Sequence, residues 1–149
     1  MVYLLDVNLL LALCDAQHSA HDDAHAWFAR TSAAGWASCP LTENGFVRIA
    51  SNPRYPTLNA TPAAITGLLT AFCAMPSHTF WPDSISLTDR ERFTLPLAPG
   101  SAALTDIYLL ALAVAQGGKL ATLDRKIPVE AVVGGRAALE LIAPGASTV

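Results

Sequence analysis

Four apolar residues at positions 2–5, Val-Tyr-Leu-Leu, run straight into Asp6. Asn8 follows two positions on, at the head of a second apolar run that reaches Leu13. The first four read as a buried strand, and the second run, with Leu9, Leu10 and Leu13 at helical spacing, predicts a helix over 7–14. A strand that hands over to a helix through an acid puts that carboxylate at the carboxyl edge of a sheet, where open α/β folds bind their ligands. The ordinary explanation of such an acid is capping, because Asp and Asn satisfy the unpaired N–H groups of a first helical turn.

The same alternation continues along the chain. Residues 15–19 form a polar break with Ser19 as the expected N-cap, and 20–33 predicts an amphipathic helix with Ala24, Trp27 and Phe28 on one face, closed by Gly35. A second strand over 36–39 leads through Pro40 into a helix over 41–50. After a loop at 54–60, Thr61 and Pro62 are an N-cap and a first-turn proline, opening a helix that runs to about 75. Residues 78–82 read as an edge strand ending at Pro82. A short helix over 87–93, introduced by Thr88 or Asp89, precedes a loop at 95–100. The helix at 105–116 is apolar almost all round, which predicts burial on several sides. Gly117 and Gly118 cap it, a strand over 119–123 ends at Asp124, and a last strand falls near 139–142. The pattern predicts a single α/β domain over 1–149, with three α/β/α layers and a mostly parallel central sheet.

Hydrophobic residues make up 52% and charged residues 14% of the 149, which excludes an intrinsically disordered chain. The longest apolar run, 107–115, falls short of the ~20 residues that cross a bilayer. The amino end lacks the basic region of a secretion signal, so no membrane partner and a cytoplasmic setting are expected. Cys14, Cys39 and Cys73 are odd in number and widely spaced, which fits reduced core residues better than a disulfide or zinc framework. The net charge of -3 argues at first against a nucleic-acid partner. If four of the twelve acids share one pocket, however, the remaining eight face nine bases and the rest of the surface is slightly positive.

Those four acids are Asp6, Glu43, Asp106 and Asp124. Glu43 and Asp106 each have an ordinary explanation as first-turn acids favoured by the helix dipole, and Asp124 as a turn residue. Asp106, though, leads a helix with almost no polar face, and a buried carboxylate needs a cation or a donor. All four fall at strand-to-helix junctions or first helical turns, which in a parallel sheet share one edge. Carboxylates crowded there repel unless protonated or bridged by metal, and an all-oxygen set points to Mg²⁺ or Mn²⁺. No residue reads as a covalent nucleophile.

Asp6-Val-Asn8 after a strand, Thr42-Glu43-Asn-Gly-Phe-Val-Arg48, Thr105-Asp106 opening an apolar helix, and Thr122-Leu-Asp124-Arg125 together resemble the PIN domain. More narrowly they resemble the VapC toxins of bacterial toxin–antitoxin pairs, with all four acids in family order over nearly the whole chain. The resemblance implies a magnesium- or manganese-dependent endoribonuclease whose acidic pocket is Asp6, Glu43, Asp106 and Asp124. In it Asp6 and Asp106 are direct ligands, while Glu43 and Asp124 act through water or on a second ion. Asn8 and Thr122 match polar positions that support the acids by hydrogen bonds. The chemistry implied is attack of an activated water on phosphorus, leaving a 5′-phosphate and a 3′-hydroxyl. The implied partners are an RNA substrate, a cognate small antitoxin protein and a second copy in a homodimer.

Arg48 and Arg125 are candidates to hold a substrate phosphate, with structural ion pairs as the alternative. His21 and His25 are four apart, but no HExxH pattern is present, and they read as a solvated helix face. Tyr108, Leu109 and Leu110 fit either a homodimer interface or the monomer core. Two competing functions use the same features: a catalytically silent PIN-like binding module, and a phosphotransfer enzyme with acids at a sheet edge. A phosphatase of that kind would need a second aspartate where Asn8 stands.

Overall fold

Leu4 and Leu5 sit side by side in the first strand, β1 (Tyr3–Leu5), and both are completely buried, each in a different half of the core. Side chains alternate across a strand, so a strand buried on both faces must lie inside the sheet with helices on either side. The computed structural model describes residues 1–144 and shows that arrangement. Strands β2 (Trp36–Ser38), β3 (His78–Phe80), β4 (Lys119–Thr122) and β5 (Leu139–Leu141) join β1 in the order β3-β2-β1-β4-β5. Every pairing is parallel.

On one face Leu4, Ala37 and Leu120 pack against α5 (Leu104–Ala115). Ile107, Leu109, Leu110 and Leu112 of that helix are wholly buried, as its all-round apolar sequence requires. On the other face Leu5, Trp36 and Ala121 meet Leu9 and Leu13 of α1 (Val7–Cys14), Trp27 of α2 (His21–Thr31), Phe46 of α3 (Pro40–Ala50) and Ile65 and Leu69 of α4 (Pro62–Cys73). Truncating any of these large side chains to Ala would cost ~2–5 kcal/mol. Two glycines allow close packing. A Cβ on Gly45 would lie 2.9 Å from the Val7 side chain, where α3 meets the start of α1, and one on Gly118 would lie 2.7 Å from the Trp81 ring and collide with the Val2 carbonyl. No helix among the described residues is long and apolar enough to cross a membrane.

The strand order places the reversal of chain direction across the sheet between β1 and β4. From β1 the chain builds outward through β2 and β3, then returns to lay β4 against the free side of β1 and β5 beyond it. Leu5 is in register with Ala121, so Asp6 and Thr122 leave the sheet next to each other. Ligands bind open α/β sheets in the crevice at such a switch point.

The helix expected over 87–93 does not form. Asp89 instead uses its carboxylate to accept the Glu91 N–H (2.9 Å), and Phe93 makes an isolated antiparallel bridge with Val132, so the segment is a series of turns pinned by a buried aromatic ring. Ser19 does not cap α2 either. Ala20 occupies that position without a side-chain cap, and the Ala20 N–H is taken by His18 Nδ1 at 3.0 Å. Leu109 and Leu110 are buried within the monomer, which removes them from any interface between copies.

The polar break after α1 has a structural purpose of its own. His21 Nδ1 donates to the Ala12 carbonyl at 2.7 Å and His25 Nε2 to the Leu13 carbonyl at 2.9 Å, so the two rings satisfy carbonyls that the end of α1 leaves unpaired. Asp15, 3% exposed, accepts from Gln17 N (3.0 Å), the Tyr55 hydroxyl (2.9 Å) and the Thr57 hydroxyl. Burial raises its carboxyl pKa, but the bonds from Thr57, Gln17 and Tyr55 outweigh that and hold it below the ordinary value. Because the folded value is depressed, this stabilisation is present above the unfolded pKa of ~3.9 and is lost as the pH falls through the folded value. Asp15→Asn is therefore expected to cost about 1.5–3 kcal/mol at pH 7. The deficit should shrink as urea unfolding is repeated at progressively lower pH, and a constant deficit down to pH 2 would contradict this assignment.

Candidate active site

Asp6 stands where β1 gives way to α1, and its two oxygens have separate tasks. Oδ1 accepts the Val7 N–H at 2.7 Å and caps the helix, while Oδ2 accepts the Thr122 hydroxyl at 2.7 Å from the end of β4. The residue is 5% exposed. Burial raises its carboxyl pKa, the bonds from Thr122 and Val7 lower it, the charge of Asp124 raises it, and the net shift is upward. One side chain thus both caps α1 and bonds to the end of β4.

Thr122, itself fully buried, is the junction of the cluster. Having donated its only proton to Asp6, its oxygen accepts the Asp124 N–H at 3.0 Å and lies 3.4 Å from Asn8 Nδ2. Asn8 reaches back with its oxygen to the Leu123 N–H, also at 3.4 Å. The Asp124 carboxylate accepts the Lys126 N–H at 2.8 Å, which closes a tight turn and holds the acid at the edge. The polar supports expected at Asn8 and Thr122 therefore lie between Asp6 and Asp124.

Asp106 enters from the first turn of α5, which starts at the same edge because the helix runs back to feed β4. Half-buried, its carboxyl is pushed up to about 6, first by burial and then by the charges of Asp6 and Asp124. Three of the four acids thus act on one another at the switch point. Among the described residues, no group of three or more His, Cys, Asp or Glu side chains is drawn together tightly enough to hold an ion as it stands.

Glu43 follows a different course. It lies in the first turn of α3, at the end of β2, but its carboxylate accepts the Ser38 hydroxyl at 2.7 Å, and its charge acts on His78 and Cys73. Asp6, Asp106 and Asp124 thus act on one another, while the partners of Glu43 lie on β2, β3 and α4. Ser38 and His78, which contact it or its partner, are site neighbours that sequence reading passed over. Ser38 does carry a signal, being a hydroxyl at the carboxyl end of an otherwise apolar strand. Arg48 and Arg125 are exposed, and the ion pairs among the described residues are Arg92–Asp89 and Arg136–Glu130, so neither is tied up in a salt bridge.

None of the known protein-family models matches the chain. Individual relatives do. The chain is 44% identical over 131 residues to Ribonuclease VapC44 of Mycobacterium tuberculosis, covering 88% of this chain and 92% of that one. Ribonuclease VapC39 of the same organism is 39% identical over 134 residues, covering 90% and 96%. Ribonuclease VapC38 is 40% identical over 121 residues, covering 81% and 84%. The fold matches the solved structure of VapBC2 from Rickettsia felis bound to a promoter DNA fragment, with a TM-score of 0.60 at 12% identity over 85% of this chain and 90% of that one. With relatives this similar over most of its length, and a five-stranded parallel sheet that gathers acids at its switch point, the chain belongs to the VapC family of PIN-domain ribonucleases.

Proposed function

We propose that the protein is a divalent-metal-dependent endoribonuclease that hydrolyses RNA phosphodiester bonds as the toxin of a toxin–antitoxin pair. The observation that carries this reading is the mutual influence of Asp6, Asp106 and Asp124 at the switch point. Their donors are all oxygen, which suits Mg²⁺ or Mn²⁺ better than zinc. Carboxylates this close do not ionise together cheaply unless a cation relieves them, and the raised Asp106 carboxyl is that repulsion added to burial. The residues therefore fit such an ion, with Asp6 and Asp106 as its holders and Asp124 and Glu43 acting through water or on a second ion. When bound, a divalent ion supplies positive charge against the phosphodiester and makes water more acidic at neutral pH.

The chain's own part is orientation. Val7 N–H and the Thr122 hydroxyl fix the plane of the Asp6 carboxylate, and the Lys126 N–H fixes Asp124, so neither has to reorganise when substrate arrives. Arg48 and Arg125 are exposed cations suited to substrate phosphates. Support for the toxin role comes from the relatives' names and from the fold neighbour, a VapBC complex. A small antitoxin that covers the acidic edge and a second copy of the chain are the partners this reading entails.

The purified protein is expected to cleave structured RNA with Mg²⁺ or Mn²⁺ and to stop on addition of chelator. Asp6→Asn and Asp106→Ala should each cost more than the ~10–100-fold that loss of a ligand's hydrogen-bond partner costs. Sequencing of RNA 5′ ends should find 5′-phosphates at the cut sites, and cleavage indifferent to chelator would refute the reading.

A second measurement needs no RNA. A carboxyl raised to about 6 in the fold lowers stability as the pH rises from the unfolded value through 6. In metal-free buffer at pH 8, Asp106→Asn should therefore melt at a higher temperature than wild type, and the gap should close as the pH falls below 6. Saturating Mn²⁺ should reverse the order by stabilising wild type more than the variant. Equal melting temperatures with and without Mn²⁺ would remove Asp106 from the metal site.

A further inference from the structure

Glu43 is held by a chain of two hydrogen bonds that crosses from α3 through β2 to β3. The Ser38 hydroxyl donates its one proton to Glu43 Oε2 at 2.7 Å, since a carboxylate only accepts. The second neighbour of that hydroxyl, His78 Nε2 at 2.8 Å, must then be the donor. Burial holds His78 below its ordinary value against the opposing charge of Glu43, and the bond to Ser38 requires a proton on Nε2. The Trp36 ring, 4.5 Å away, fixes the ring from the side, and Ser38 is wholly buried between them. Cys73 Sγ lies 3.9 Å from the same hydroxyl, with its thiol kept protonated chiefly by burial. Beyond the carboxylate opens a groove of about 400 Å³ edged by Thr66, Thr70 and Phe80.

We propose that Ser38 and His78 are positioning residues for Glu43, forming a His78–Ser38–Glu43 relay that fixes this carboxylate on the β2–β3 side of the edge, apart from the three aspartates. The inference rests on the nuclease reading and refines it by dividing the acids into two groups. Asp6, Asp106 and Asp124 influence one another at the switch point, and the bonds described here act on Glu43 alone. A glutamate has three rotatable side-chain bonds, and an unanchored Glu43 would sample many rotamers. The charge-assisted bond from Ser38, itself oriented by His78, removes that freedom before RNA binds.

The test compares wild type, Ser38→Ala, Glu43→Gln and the double variant. Three quantities are read: Mn²⁺ affinity without RNA by electron paramagnetic resonance, single-turnover cleavage, and the His78 tautomer by long-range ¹H–¹⁵N NMR. Ser38→Ala should slow cleavage by at least ~10-fold while Mn²⁺ affinity stays within about twofold, and should add nothing in the Glu43→Gln background. His78→Gln, which keeps a donor at the Nε2 position, should recover most of what His78→Leu loses. The wild-type ring should show the proton on Nε2, and Ser38→Ala should abolish that preference. An equal penalty from Ser38→Ala in both backgrounds, a fall in Mn²⁺ affinity parallel to cleavage, or an Nδ1 proton in wild type would each overturn the relay. If Ser38→Ala does not fold, as judged by its thermal transition, the His78 pair carries the same comparison. Should wild type itself show no metal-dependent cleavage, the nuclease reading fails, while the His78 tautomer and its response to Ser38 still decide the relay.

Discussion

The hydrogen bond from Thr122 to Asp6 ties together the ends of two neighbouring strands, and the acidic edge is assembled outward from it. A carboxylate as buried as Asp6 is costly unless its oxygens are satisfied, and the two donors that satisfy it come from different elements. One is the first N–H of α1, the other a hydroxyl on β4. The bond that makes burial tolerable therefore also adds a side-chain tie to the backbone ladder that joins β1 and β4 at their carboxyl ends. Thr122 then passes the constraint on, through the Asp124 N–H and the Asn8 amide. A valine in its place would fill nearly the same space and leave three polar groups without this partner.

This arrangement places like charges together at one end of a sheet whose central strand is apolar and buried on both faces. The two core halves, divided by Leu4 and Leu5, supply the stability against which that repulsion is held. The site is an expense the fold carries rather than one of its supports, as the upward shifts of Asp6 and Asp106 show. Asp15 is the contrast within the same chain. Also an acid with little exposure, it has three donors and no acidic neighbour acting on it, and its carboxyl is held down. Two buried aspartates nine positions apart are thus pushed in opposite directions by the company each keeps.

Much of this was legible in the residues. All five strands and the α/β/α layering followed from apolar runs of strand length set between helical periods. The gathering of Asp6, Asp106 and Asp124 followed from each lying at a strand end or a first turn. What could not be read depends on residues distant in the chain. The partners of Glu43 are set by Ser38 and His78, forty positions apart and brought together by the pairing of β2 with β3. Asp15 looked like loop polarity because Tyr55 and Thr57, its donors, lie on another loop. The segment 87–93 had local helical character, but Phe93 gains more by burial beside Val132 than a short helix gains in propensity. The two histidines of α2 showed metal-binding spacing and proved to serve the carbonyls of the preceding helix.

The β1–β4 pairing has a further consequence for the order in which the molecule comes into being. Asp6 leaves the ribosome well before the hydroxyl it requires, which is 116 positions behind it. Until β4 has emerged, β1 has no neighbour on that side, the switch point does not exist, and the early aspartate is a solvated group on an unfinished sheet. The nascent chain is thus without its acidic centre for the whole interval that separates the two residues. The acidic centre is therefore completed late, after the first three strands of its sheet have been made.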